Sequence, residues 1–476
     1  MWSWPRTSLT GLSNADGGAS TSAQRLDADA AEAWPSGLAK FDMVAKGEWM
    51  TRGATLVEKV IARAAGLPGV VPGQLVVAKV DFAFAHDSSG ARRWKPILDA
   101  LGVGVWDRSK VALVNDHYAP AGDAETAGFL KLTRDFAKQQ GIENLFDMVG
   151  ISHVVLPEAG LIRPGAFIAG GDSHTPMAGA FGAYAAGYGA TDMAAIAATG
   201  ETWLSVPSTI RIEWSGRFAP YVVAKDVMLH LTREVGMDNG FRAVEFAGDA
   251  VEAMSMHARM VLCNMAAELG AETGVVAPDA TTFAYLEKTG RPVEDEAAAR
   301  ALASDPDAQF EQVYRFDAAQ LGPQIAAPHS PGNTGPIGDY AGVRIDQAYI
   351  GACMGAKIDD LRMAADVLRG RKVADGVRLL IAPASRSTFD AAAREGVLGD
   401  LIAAGALMMP SGCGACAGYG GGVLAEGEVC ISSTNRNFKG RMGSAEAQVY
   451  LGSPYSVAAA AVAGSIIDPR QLMGAV

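Results

Sequence analysis

Along this chain a short apolar run repeatedly stops at a glycine-containing or polar loop, and helical stretches lie between several of these runs. The runs are Leu75-Val-Val-Ala-Lys-Val, Lys110-Val-Ala-Leu-Val, Val154-Val-Leu and Ala166-Phe-Ile-Ala early on, and Gln347-Ala-Tyr-Ile-Gly-Ala-Cys, Val377-Arg-Leu-Leu-Ile-Ala-Pro and Ala406-Leu-Met-Met-Pro later. Runs this short and this apolar read as buried strands. Strands alternating with helices predict an α/β fold of layered sheets, with the chemistry on the loops at strand ends.

With 476 residues the chain is too long for one hydrophobic core, and several domains are expected. Residues 1–50, rich in Gly, Ser, Ala and Asp, read as a flexible extension. Residues 51–205 read as a first α/β domain. It opens on a helix capped by Thr55 with Leu56, Val60 and Ile61 on one face, and includes a Gly/Ala-rich stretch, Gly179 to Gly200, expected to be closely packed helix. Residues 206–338 read as a second α/β domain, with a strand at Thr209–Trp214, helices at Ala224–Val235 and Met254–Leu269, and a linker at Gly322-Pro323 and Pro328 to Pro336. Residues 339–476 read as a third, which carries most of the cysteines.

Hydrophobic residues make up 49% and charged residues 19%, an ordinary globular composition. The net charge of -12 gives no global attraction for nucleic acid or an anionic membrane, so neither partner is expected. An anionic substrate would need a local arginine cluster. The 5 cysteines are too few and odd in number for a disulfide scaffold, which fits a reducing compartment. No signal peptide is visible, and the longest apolar stretch, Val457 to Ile467, is too short to span a bilayer; the cytoplasm is expected.

Three constellations carry chemistry. Cys353 and the pair in Cys413-Gly-Ala-Cys416 each sit where a strand runs into a loop. Such thiolates can converge on a metal centre; they can also be buried thiols, a redox pair or half a zinc site. Cys263 and Cys430 read as core. Of 7 histidines, three lie in loops near acids: Asp116-His117, His153 and Asp172-Ser173-His174, with Glu245 following in Ala243-Val-Glu-Phe. A buried carboxylate fixes an imidazole's tautomer and raises its basicity. Ser432-Ser-Thr-Asn-Arg-Asn-Phe-Lys-Gly-Arg441 places Arg436 and Arg441 on a loop suited to gripping carboxylates. No Gly-Lys-Ser/Thr phosphate loop competes.

Taken jointly, Gly171-Asp-Ser-His-Thr, Val244-Glu-Phe-Ala-Gly, Cys263-Asn-Met, Ile350-Gly-Ala-Cys, Cys413-Gly-Ala-Cys and Asn435-Arg-Asn-Phe-Lys-Gly-Arg resemble the aconitase superfamily, within it the large subunits of 3-isopropylmalate dehydratases. The likeness runs from about Gly53 to the C-terminus. It implies three α/β domains of the aconitase type around an iron–sulfur cluster, with the swivelling domain absent from this chain. It implies a [4Fe–4S] cluster on Cys353, Cys413 and Cys416 with one open iron site. It implies histidine–carboxylate pairs Asp116 with His117, His153 with Asp172 and His174 with Glu245, and substrate contacts from His86, Ser173, Asn435, Arg436 and Arg441. It implies a separate small subunit that brings the swivelling domain and a serine base. The activity implied is dehydration or isomerisation of a 2-hydroxy acid, 3-isopropylmalate first. 2-Methylmalate, 2,3-dimethylmalate, homocitrate or citrate are alternatives within that chemistry, and an iron–sulfur sensor or a zinc protein outside it. Cys353-Met-Gly-Ala-Lys357 departs from the family's common Cys-Thr-Asn-Gly-Arg, which leaves the substrate less fixed than the chemistry.

Overall fold

The structure is a computed structural model that describes residues 52–474; the extension read at 1–50 lies outside them. Thr55 caps the first helix, Leu56–Ala65, through a reciprocal box. Its hydroxyl accepts from the Glu58 N–H, and the Glu58 carboxylate accepts from the Thr55 N–H at 2.9 Å.

β1 (Leu75–Lys79) leads into a parallel sheet of β2 (Phe82–His86), β3 (Val111–Asn115), β4 (Asn144–Asp147), β5 (Phe167–Gly170) and β6 (Tyr184–Gly187). Their spatial order is β4-β3-β2-β5-β6. The chain moves outward from β2 to β4 and then crosses back, so the order reverses between β2 and β5. At such a reversal the connecting loops diverge and leave a crevice at the carboxyl ends of the strands. β7 (Glu201–Ser205) then pairs antiparallel with β1.

A second parallel sheet follows: β8 (Ser208–Ser215), β9 (Arg242–Ala247), β10 (Thr273–Val276) and β11 (Gln312–Asp317), in the order β10-β9-β8-β11. The third has β12 (Gln324–Ala326), β13 (Thr334–Pro336), β14 (Gln347–Ile350), β15 (Arg378–Ile381), β16 (Leu407–Met408), β17 (Val429–Ser432) and β18 (Gln448–Leu451), in the order β13-β12-β18-β17-β14-β15-β16. Its strand order reverses between β14 and β17. The first and third sheets are docked through backbone: the Ile151 N–H donates to the Ala384 carbonyl at 2.9 Å, and the Arg386 N–H to the Val149 carbonyl at 2.8 Å.

Three sequence expectations give way. Val154-Val-Leu is not a strand but part of the helix Ser152–Glu158. Val154 joins one core and Val155 and Leu156 another, so this turn is buried on more than one side and its apolar run has no period to betray it. Gly179 to Gly200 is not one helix: a 3₁₀ segment, Thr175–Phe181, precedes β6 and the helix Ala190–Thr199. The segments read as a linker flank β12 and supply β13, the edge strand that pairs with it in the third sheet. Gly and Pro there mark strand ends.

The joint between the first two sheets is a close backbone contact. The segment Thr175–Phe181 packs on β10 and on the helix Met256–Asn264. A Cβ on Gly179 would lie 1.8 Å from the Gly274 carbonyl oxygen, and one on Gly274 would lie 2.7 Å from the Ala266 Cβ. These glycines bring His174, just before one segment, close to Glu268, just beyond the end of the other. Gly179→Ala is expected to cost about 1–3 kcal/mol or more by overpacking, read as a lower urea midpoint; an unchanged midpoint would mean that the joint yields.

Candidate active site at two strand-order reversals

His86 ends β2, and Asp172, Ser173 and His174 follow β5, so both sides of the first reversal carry site residues. Asp116 and His117 follow β3. Asp172 is the hub. Its Oδ1 meets His153 Nε2 at 2.7 Å and accepts the His174 backbone N–H at 2.7 Å; its Oδ2 lies 3.4 Å from His86 Nε2 and 3.9 Å from His117 Nε2. Burial alone would raise the Asp172 carboxyl. The His153 charge and hydrogen bonds from His153, His174 and His86 outweigh it and hold the group well below the carboxylate range.

A second buried carboxylate works alongside. Asp116 Oδ1 lies 2.7 Å from His117 Nδ1, and its Oδ2 accepts the Ser152 N–H at 2.7 Å. The His117 ring stacks on His86 with centroids 3.8 Å apart. The backbone N–H groups of His117 and Tyr118 donate to Asp87, which locks the turn after β3. Burial would lower the His117 pKa; the Asp116 charge and hydrogen bond, with Asp172 and Asp87 behind them, reverse that and raise it to about 9.

The expected pair of His174 and Glu245 is not formed. Glu245 lies on β9, where alternation turns Val244 and Phe246 to the main core and aims Glu245 elsewhere. Its carboxylate takes Arg211 at 3.1 Å and the Ser304 hydroxyl at 2.5 Å. His174 Nε2 instead meets Glu268 Oε1 at 3.0 Å. Glu268 follows Asn264 by four positions at the end of the helix Met256–Asn264, so both reach one face. That spacing, with Glu268 three residues beyond the Cys263-Asn-Met segment, was the signal available in the sequence.

At the second reversal Cys353 follows β14, Cys413 and Cys416 follow β16, and Asn435, Arg436 and Arg441 follow β17. Ala352 is held in the left-handed region, φ 70°, a conformation that costs a non-glycine residue about 1–3 kcal/mol and fixes the bearing of Cys353. Ser433 braces this turn: its Oγ accepts the Gly351 N–H at 3.1 Å and donates to the Gly355 carbonyl at 3.2 Å. A Cβ at position 355 would strike that same Oγ at 2.3 Å, which accounts for Gly355. Lys357 closes the turn from below, donating to the Met354 carbonyl at 2.7 Å and to Asp360 at 2.8 Å.

The two reversals meet. The Cys413 N–H donates to the Asp116 carbonyl at 2.9 Å. Arg436 donates to Glu268 at 2.6 Å and to the Ser173 hydroxyl at 3.1 Å. Asn435 donates through its side chain to Asn264 Oδ1 and through its backbone to Cys416. Arg441 donates to the Cys416 carbonyl at 3.0 Å.

The donor set fits an iron–sulfur cluster. Burial pushes all three thiols up, Cys353 to about 12, and Cys416 raises both Cys353 and Cys413 further. Neutral thiols are the stable form here until a metal supplies positive charge. The Asn264 side-chain N–H already donates to Cys353 Sγ at 3.2 Å, the kind of bond that orients a ligating sulfur. Among the described residues, His153 Nδ1 and Glu268 Oε2 are buried without a partner, polar capacity for a ligand at the same place. Cys263 and Cys430 are fully buried among apolar neighbours, as core thiols.

The model of the Aconitase family (aconitate hydratase) matches residues 115–464. Among curated relatives, the chain is 46% identical to the 3-isopropylmalate dehydratase large subunit 1 of Methanopyrus kandleri, over 88% of this chain and 99% of that protein. It is 43% identical to the probable methanogen homoaconitase large subunit of Methanothermobacter thermautotrophicus, over 88% and 98%. It is also 43% identical to the 3-isopropylmalate dehydratase large subunit of Desulfitobacterium hafniense, over 88% and 99%. No helix among the described residues is long and apolar enough to cross a membrane. Family membership carries with it an iron–sulfur cluster. The chain belongs to the aconitase family of hydro-lyases.

Proposed function

We propose that this chain is the large subunit of a dehydratase that converts 3-isopropylmalate to its isomer by removing and re-adding water, working with a small subunit. Support comes from the large-subunit names of the relatives and, above all, from the Cys413 N–H to Asp116 carbonyl bond, which sets the thiol loop against the histidine–carboxylate hub. In this reading, residues 51–205, 206–338 and 339–476 form three domains, and the small subunit carries the swivelling domain and a serine base. Cys353, Cys413 and Cys416 hold a [4Fe–4S] cluster whose one iron without a protein thiolate supplies Lewis-acid chemistry when bound.

Arg436 and Arg441 neutralise the carboxylates of the substrate, and Asn435, Ser173 and His86 orient it. His117, kept protonated by Asp116, delivers a proton to the departing hydroxyl, which leaves as water. The serine of the partner takes the proton from carbon with a lone pair of its own; the C–H electron pair becomes the π bond of the alkene, and the C–O pair leaves with the oxygen as water. His153 and His174 are held in register by Asp172 and Glu268 to steady the leaving oxygen. A homocitrate-type substrate is the second reading, favoured by the homoaconitase relative.

The test is anaerobic copurification with the small subunit, iron and sulfide determination, and a dehydration assay across alkylmalates and homocitrate. Turnover of 3-isopropylmalate above the others is expected; preference for homocitrate would select the second reading. Cys416→Ser is expected to lose turnover by at least about 100-fold, and intact activity would remove Cys416 from the ligand set.

The pH profile checks the role of His117. A group raised to about 9 is protonated below that pH, so turnover is expected to hold through neutrality and fall as the pH rises past about 9. Asp116→Asn removes the attraction that outweighs burial, so the alkaline limb is expected to move to lower pH. A limb that stays in place would deny His117 this role.

A further inference from the structure

Lys225 sits in the first turn of the helix Ala224–Glu234 with its side chain buried. Its Nζ donates to the Thr434 carbonyl at 2.7 Å and otherwise faces two thioethers, Met354 Sδ at 3.6 Å and Met265 Sδ at 3.8 Å. Among the described residues no carboxylate forms an ion pair with it. An ammonium with three N–H bonds thus has one oxygen acceptor, an expensive arrangement unless negative charge lies nearby.

Each contact adjoins a residue of the site. Thr434 precedes Asn435, Met354 follows Cys353, and Met265 follows Asn264, whose amide holds Cys353 Sγ. The anionic groups near enough to act on Lys225 are Glu268, Cys416, Asp226 and Cys353. Glu268 is engaged by His174 and Arg436, and Asp226 by the backbone N–H groups of Gln324 and Val223. Of these four, the two cysteine sulfurs are the groups that gain negative charge when iron binds. Burial outweighs the attractions of Glu268, Cys416, Asp226 and Cys353 and lowers Lys225 to about 8.

We infer that Lys225 is a positioning and charge-balancing residue for the iron–sulfur cluster: it ties together the loops that present Cys353, Asn264 and Asn435, and its positive charge offsets the thiolates when they bind iron. The inference rests on Cys353, Cys413 and Cys416 being the ligands. Charge and hydrogen bonding around a cluster set both its reduction potential and its hold on iron. Met354 gives the ammonium a soft sulfur and no oxygen acceptor, which leaves more of its charge for the thiolates.

The experiment compares wild type with Lys225→Met and Lys225→Gln, all reconstituted anaerobically in the full chain. In Lys225→Met, iron is expected to leave to a chelator about 10-fold faster or more, and the EPR-monitored midpoint potential is expected to shift to more negative values, because the reduced cluster loses a nearby cation. Lys225→Gln keeps a donor for the Thr434 carbonyl but no charge, and its potential is expected to shift in the same direction. The cluster-free Lys225→Met protein is expected to unfold at the same temperature as cluster-free wild type, or higher, since an apolar side chain replaces a poorly paired ammonium. Unchanged potential and iron release in a folded Lys225→Met protein would overturn the inference. So would a cluster-free protein destabilised enough to account for the faster release, which would make Lys225 a plain structural residue. Wild type that takes up no iron would remove the ligand assignment itself, and the inference with it.

Discussion

A carboxylate largely cut off from water stays ionised only if its surroundings replace the lost hydration. Asp172 meets that condition with imidazoles from four segments: His86 at the end of β2, His117 after β3, His153 on the helix Ser152–Glu158, and His174 two residues on. Remove the charge and these rings have no common reason to face one another. Keep it, and the loops at the carboxyl ends of three neighbouring strands are fixed to within hydrogen-bonding tolerance. Asp116 repeats the device one strand over, with a backbone N–H on one oxygen and His117 on the other. Electrostatics here does the work of a scaffold as well as of a proton store.

The same architectural solution appears twice. Both the first and the third sheets reverse their strand order, and in each the reversal supplies the side chains that chemistry needs: imidazoles and carboxylates in one, thiols and guanidinium groups in the other. Arg436 crosses between them, with one nitrogen on Glu268 and another on Ser173. The second sheet contributes less chemistry and more geometry, since the Gly179–Gly274 contact sets how near the histidine side can come to Asn264 and Glu268.

Much of this was legible beforehand because it is local. Strands ending in loops read from apolar runs, the Thr55 cap from its place ahead of the Leu56, Val60 and Ile61 face, and the thiols, histidines and arginines from their motifs. Glu245 was the instructive failure: an acid in a motif beside an alternating strand invites a pairing, but which face it takes depends on the strands beside it. Glu268 won the place because a helix end, not a strand, approaches His174. Lys225 escaped notice for another reason, and Lys357 was noted only as a departure from a family pattern. A lysine in a sequence reads as surface, and only packing reveals that Lys357 is 1% exposed and bonded to the carbonyl beside a site cysteine.

The bond from Cys413 to the Asp116 carbonyl also imposes a schedule. Cys353 is oriented by Asn264, Cys413 by Asp116, and Cys416 by Asn435 and Arg441, so each thiol leans on a residue from a distant stretch of the chain. During synthesis the histidine side emerges long before the thiols it will face, and the last brace arrives only with β17. No partly made chain offers iron the finished site. With Cys353, Cys413 and Cys416 as the proposed ligands, metal loading would follow folding, onto thiols already aimed by their neighbours.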